Sequence, residues 1–146
     1  MTSTFVIAPN AETTVDNGIA RLNVLLEPGR APGFAVFVNN FPGFGGGPPA
    51  HHHNSYDEAF YVLNGEMEFR VNDVTERVPA GSLAFVPRGS THAFRNPNAE
   101  PAQMLVITTP EAIDLIVRMP EGIGNPDKMR ALFTDHDSKI DGPALG

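Results

Sequence analysis

Apolar and polar residues alternate over much of the chain with the period of two that marks a half-buried strand. From Ile19 to Leu26, Leu22, Val24 and Leu26 fall on one face and Arg21 and Asn23 on the other, and Glu27-Pro28-Gly29 ends the run. The cleanest case is Glu66 to Asn72, where Met67, Phe69 and Val71 alternate with Glu66, Glu68 and Arg70; Asn72-Asp73 then reads as a two-residue hairpin turn into Val74 to Val78. Further short strands are expected at Ala59 to Leu63, Leu83 to Val86, Thr91 to Arg95 and Ala102 to Thr108, each bounded by Gly, Pro or Asn. Phe34 to Val38 is apolar without alternation. That strand should be covered on both sides, inside the fold or by a second copy of the chain, which would make a homodimer. Helical spacing appears only near the end. Thr109-Pro110-Glu111 and Asn125-Pro126-Asp127 both have the form of a helix start, followed by Ile113, Ile116 and Val117 in one case and Met129, Leu132 and Phe133 in the other.

Composition supports this pattern and narrows it. The 146 residues fit one domain, 1–146, with a single core, and 14 glycines with 14 prolines supply turns between many short strands. The expected fold class is all-β, a sandwich or barrel with one or two short C-terminal helices. Ten Lys and Arg against 17 Asp and Glu give a net charge of -7, with no basic stripe to gather phosphates, so nucleic acid is a poor candidate partner. No stretch approaches the roughly 20 apolar residues of a membrane span and no signal-like start is present, so neither a membrane partner nor export is expected and the expected location is cytoplasmic. The absence of cysteine excludes a disulfide scaffold, a thiol nucleophile and cysteine-ligated metal, so any metal must sit on nitrogen and oxygen.

Four of the five histidines, His51, His52, His53 and His92, lie on or beside expected strands. On an extended chain His51 and His53 point to one side and His52 to the other, so His51 and His53 can offer two ring nitrogens to one ion. Glu58 stands five residues after His53, an odd separation that would place it on the wrong face of a straight strand. A turn or bulge in Asn54-Ser55-Tyr56-Asp57 must therefore bring it back. His92 is remote in sequence and completes the set only if a barrel brings separate strands together. Imidazoles with one carboxylate suit a single divalent transition metal, iron, manganese, nickel, copper or zinc, rather than calcium or magnesium. Neutral histidines, one carboxylate and a divalent ion sum to about +1, which favours an anionic oxygen ligand. His52 and His136 read as an outward strand residue and a surface tail residue. Phe60 and Val62 share parity with Glu58, and Phe94 with His92, so these three are candidates for a substrate pocket. Gly45-Gly46-Gly47 lacks the Lys-Ser and following helix of a phosphate loop and reads as a flexible lead into the histidine strand.

Two spaced motifs now stand out. Gly45, His51, His53, Glu58 and Gly65 resemble the first cupin motif position by position, and Gly81, Pro87, Gly89, His92 and Asn96 resemble the second. The motif regions, 45–65 and 81–96, are joined by the short segment common in bacterial single-domain members. The wording DEAFYVLNGEMEFRV and VPRGSTHAFRN is similar to the quercetin-dioxygenase-like branch, and Asp141-Gly142-Pro143 resembles a Gly-Pro tail often found there. The resemblance implies a cupin jelly-roll-like barrel of six to eight strands, with a metal held by His51, His53, Glu58 and His92.

Three functions follow as expectations. The first is a metal-dependent, dioxygenase-like enzyme acting on a small hydroxylated aromatic or enolisable substrate. The second is a redox-neutral polyketide cyclase or isomerase in which a Lewis-acid metal such as zinc polarises the substrate while Glu58 or His92 assists as the catalytic group. The third is a non-catalytic small-molecule-binding module. Glu58 stands open between a catalytic base and a plain metal ligand.

Overall fold

The computed structural model describes residues 5–8, 13–27 and 29–146. Within them, eleven strands run as β1 (Thr13–Asp16), β2 (Arg21–Leu26), β3 (Ala35–Phe41), β4 (Pro49–His53), β5 (Glu58–Asn64), β6 (Glu66–Val71), β7 (Val74–Pro79), β8 (Leu83–Val86), β9 (His92–Arg95), β10 (Ala102–Thr108) and β11 (Ser138–Ala144). They form two antiparallel sheets, one ordered β1-β2-β3-β10-β5-β8 and the other β11-β4-β9-β6-β7. Consecutive strands often leave one sheet for the other, as β3 to β4, β4 to β5 and β5 to β6 do, and this swapping wraps the two sheets around one core.

Alternation decides which side chains enter that core. Leu22 and Val24 from β2, Phe60 and Val62 from β5, Met67 and Phe69 from β6, and Met104 and Val106 from β10 are all buried between the sheets. The β6–β7 hairpin turns at Asn72, whose φ of 52 is left-handed, a conformation asparagine tolerates better than most residues. Strand β3 begins one residue later than the apolar run and alternates after all. Ala35, Phe37, Asn39 and Phe41 are buried, Val36 and Val38 are half-buried, and Phe34 lies before the strand and is 60% exposed.

One glycine of the run, Gly47, has a steric role. A Cβ on Gly47 would lie 1.7 Å from the carbonyl oxygen of Phe94, so β4 can approach β9 only with glycine at that position.

The chain ends in α1 (Pro110–Arg118), a 3-10 turn (Met119–Gly122), α2 (Pro126–Asp135) and β11. Asn125 caps α2 by accepting from the backbone N–H of Lys128 at 3.1 Å, whereas Thr109 makes no side-chain cap on α1, whose start rests on Pro110. Leu115, Met119, Leu132 and Phe133 form a small second core that seats the helices over one end of the barrel. His136 is not the surface tail residue expected from sequence. Its Nδ1 lies 2.7 Å from the Leu132 carbonyl and its Nε2 2.6 Å from Asp114 Oδ2, so it ties the end of α2 to α1. No helix among the described residues is long and apolar enough to cross a membrane.

Candidate metal centre

Strand β4 sends His51 and His53 into the barrel and His52 outward, as the parity of an extended chain requires. His52 Nδ1 meets Asp141 Oδ2 of β11 at 2.7 Å, and the same oxygen accepts from Thr91 Oγ1 at 2.8 Å, so His52 is turned away from the ligand group. After His53 the chain bends at Asn54-Ser55. Asp137 holds the bend by accepting from the side chains of Asn54 and Ser55. The bend does more than restore parity: β4 lies in the five-stranded sheet and β5 in the six-stranded one, so Glu58 faces His51 and His53 from across the barrel. His92, at the start of β9, sits directly opposite His51 in the register of the five-stranded sheet.

The four residues are at most 5% exposed, and one nitrogen or oxygen from each lies within 4.8 Å of those of the others. Glu58 Oε1 is 2.7 Å from His53 Nε2 and 3.5 Å from His92 Nε2. The opposite ring nitrogens are already engaged. His51 Nδ1 lies 2.7 Å from the Pro49 carbonyl and His92 Nδ1 3.0 Å from the Ser90 carbonyl, so each Nδ1–H donates to a backbone oxygen and each Nε2 is left with its lone pair. For His53 the partner is a side chain. Ser138 Oγ donates to the His136 carbonyl at 3.0 Å, and its remaining lone pairs accept from His53 Nδ1–H at 2.6 Å. The Tyr56 ring stacks on His53 with centroids 4.4 Å apart, and its hydroxyl lies 2.9 Å from the same Nδ1.

These contacts direct three Nε2 lone pairs and a carboxylate oxygen toward one point. Glu58 Oε1 and His92 Nε2 are buried with no hydrogen-bond partner among the described residues, despite the short distances between the groups. Two buried acceptor atoms facing one another are costly unless a proton or a cation lies between them, and with the His51 and His53 nitrogens beside them the residues present fit a divalent transition metal. The charges agree. Burial opposes ionisation of Glu58, but the imidazoles of His53 and His92 close beside it outweigh that and hold its pKa well below the usual carboxylate range. Burial, then the neighbouring His92 and His53, keeps the His51 pKa well below that of an ordinary imidazole. Burial also acts to lower His92, but the Glu58 carboxylate facing it raises its pKa overall.

The cluster opens into a cavity of about 50 Å³. Phe60 and Phe94 line it, as their parity suggested; Val62 is fully buried but packs in the core away from the cavity wall. The helical side of the cavity is closed by Leu115 and Ile116 of α1, Met119 of the 3-10 turn and Phe133 of α2. Phe133 meets the ring of His51 edge-on, with centroids 5.1 Å apart. Sequence reasoning missed four contributors: Ser138, Tyr56, Phe133 and the buried Asn39 of β3. Tyr56 lay inside the turn judged necessary, and Asp141-Gly142-Pro143 marked the tail, but neither gave a signal of contact with His53.

Comparison with known proteins agrees with the geometry. Residues 41–108 match the cupin domain family model, a span that contains all four candidate ligands. An uncharacterized protein of Aquifex aeolicus is 33% identical over 60 residues, a match covering 41% of this chain and 49% of that protein, so the chain aligns with about half the length of this relative. The structure of KdgF from a Halomonas species superposes with a TM-score of 0.64 at 16% identity, over 74% of this chain and 94% of that one. The polyketide cyclase RemF from Streptomyces resistomycificus gives 0.63 at 22% identity, over 74% and 80%. At these identities the two structures speak to the fold alone. With its motif spacing, its domain match and its two-sheet barrel, the chain carries a cupin domain over residues 41–108.

Proposed function

We propose that this cupin is a metal-dependent enzyme acting on a small hydroxylated or enolisable organic molecule. The observation that carries the reading is the buried set of three Nε2 atoms and the Glu58 carboxylate, two of whose atoms lack a hydrogen-bond partner among the described residues, in an otherwise largely apolar cavity. A divalent ion held there by His51, His53, Glu58 and His92 would supply Lewis-acid stabilisation of negative charge on a substrate oxygen. The chain itself supplies the rest. Its fixed Nδ1 contacts keep the ligand rings oriented, Phe60 and Phe94 exclude water, and Glu58 is held as a carboxylate able to act as ligand or proton acceptor.

Dioxygenase-like turnover is the first reaction to test, with iron, manganese, nickel or copper loaded separately and oxygen uptake followed with catechols and enolisable carbonyl compounds. Uptake that depends on both metal and substrate supports it; a flat trace with every redox-active metal rejects it. The likeness in fold to RemF favours a redox-neutral isomerisation or cyclisation as the second reading, and it predicts turnover with zinc and no oxygen consumption. In either reaction, if Glu58 moves a proton, Glu58→Gln retains metal while turnover falls by about 10²-fold or more. Unchanged turnover assigns it a ligand role only. Saturable binding without turnover under any metal would make the protein a binding module.

We also propose a homodimer joined through the outer face of the six-stranded sheet. Leu83, Tyr61, Leu105 and Val38 align across four strands of that face, and Phe85 and Ile107 lie in the adjacent row. Leu83, Phe85, Tyr61 and Ile107 are 37–56% exposed in the single chain. Sedimentation equilibrium tests this, and a monomer at micromolar concentration would reject it.

A further inference from the structure

Among the described residues three asparagines are buried, Asn17, Asn39 and Asn96, and the side-chain oxygens of two have partners. Asn17 Oδ1 accepts from the backbone N–H groups of Ile19 and Ala20 at 3.0 and 2.9 Å and shapes the turn between β1 and β2. Asn96 donates to the carbonyls of Pro42 and Glu100 at 2.9 and 2.7 Å and accepts from Asn98 N–H at 3.0 Å. Asn39 has no comparable role. Its side chain makes no hydrogen bond to any described residue, and its Oδ1 is buried without a partner.

Its surroundings explain why. Asn39 lies on the inner face of β3 between Phe37 and Phe41, and its register partners are Leu22 on β2 and Met104 on β10, both fully buried. None of these four side chains can complement a carboxamide in hydrogen bonding. Asn39 is only 7% exposed, and it lines the same cavity that the four metal-ligating side chains face. A carboxamide placed in an apolar wall and left unsatisfied is unfavourable unless the cavity's occupant completes its hydrogen bonds. A hydroxyl group does so in either orientation of the amide, donating to Oδ1 or accepting from Nδ2.

We infer that Asn39 is a substrate-recognition residue that takes a hydroxyl of a small hydroxylated carboxylate or carbonyl compound whose carbonyl or carboxylate oxygen is directed to the His51, His53, Glu58 and His92 cluster. It rests on the metal-dependent reading proposed above and adds the class of molecule. Size supports the class. The cavity of about 50 Å³ holds only a handful of non-hydrogen atoms, whereas a cavity near 150 Å³ is needed for a benzene ring, so an aromatic substrate would require α1 and α2 to move.

The test uses the full chain loaded with zinc, with metal content measured in each sample. Glycolate and 3-hydroxypropionate are titrated against their deoxy counterparts, acetate and propionate, by calorimetry. In the wild-type protein at least one hydroxylated acid should bind about 10- to 100-fold more tightly than its counterpart. In Asn39→Leu that preference should collapse with metal content unchanged, while the melting temperature of the metal-free protein rises by about 2–4 °C because the unsatisfied amide is gone. No hydroxyl preference in the metal-loaded wild type, or a preference that survives in Asn39→Leu, overturns the inference. If the leucine variant does not fold, Asn39→Ala is read by the same preference. Failure of the wild type to take up metal would instead overturn the metal-dependent reading, so the two failures are distinguished.

Discussion

The two ends of the cavity are built on opposite principles. At the inner end the second nitrogen of every ligand histidine is already engaged, by Pro49, Ser90 or Ser138, so the rings are held in place by the barrel itself. At the other end Leu115, Ile116, Met119 and Phe133 close the space by apolar packing alone, from helices that follow the last strand of the six-stranded sheet. Hydrogen bonds at the inner end fix direction, whereas dispersion and burial at the helical end fix only volume. The contrast teaches that metal affinity should be sensitive to single polar atoms, and access to the cavity should be sensitive to side-chain bulk.

The largest expected effect lies at the inner end. His92→Ala removes one of four ligands from a site with no substitute nearby, and elemental analysis should find the metal lost from the purified variant. Phe133→Ala, at the helical end, should lower stability by about 3–5 kcal/mol in denaturant unfolding, because the side chain is almost fully buried, yet leave metal content intact. If Phe133→Ala also emptied the site, the two ends would not be separable.

Ser138→Ala should sharpen the comparison. It deletes the acceptor that sets the His53 tautomer, and competition with a chelator should show metal affinity reduced by about 10- to 100-fold with the fold retained. Acidification acts on the same end. His92 carries a raised pKa and keeps its proton to a higher pH than an ordinary imidazole, while the depressed His51 stays neutral throughout the same range. A metal must displace that proton, so apparent affinity should rise as pH climbs through and above 6.5 and weaken toward pH 5. Affinity flat across this range would contradict the assigned charges. The smallest effect belongs to His52→Ala, whose ring pairs outward with Asp141. Metal affinity should be unchanged, and stability should fall by no more than about 1 kcal/mol.

The convergence of His51, His53 and Glu58 was legible in the sequence because strand parity is a local rule: His51 and His53 share a face, His52 does not, and Glu58 needs a break before it. The break's true form, a passage from one sheet to the other, was not legible, because sheet membership depends on pairings remote in the chain. Strand β11 was hidden by its composition. Gly142 and Pro143 are poor strand formers, and they are accommodated here at a sheet edge where β11 is bulged against β4. Ser138 could not be linked to His53 without that pairing. Asn39 was hidden differently: it follows the apolar run ending at Val38 and reads as the polar end of a strand, yet β3 continues to Phe41 and carries it into the core. The 3.6-residue spacing of α1 and α2 was plain, but not that Phe133 would rest on a ligand ring.

The most direct test of the central claim is X-ray absorption on the zinc-loaded protein, combined with its metal stoichiometry. The account predicts one ion per chain with three nitrogen neighbours and a carboxylate oxygen at about 2.0–2.2 Å, a signal lost in His92→Ala. An ion bound with fewer than three imidazoles, or retained with the same spectrum when His92 is removed, would contradict it.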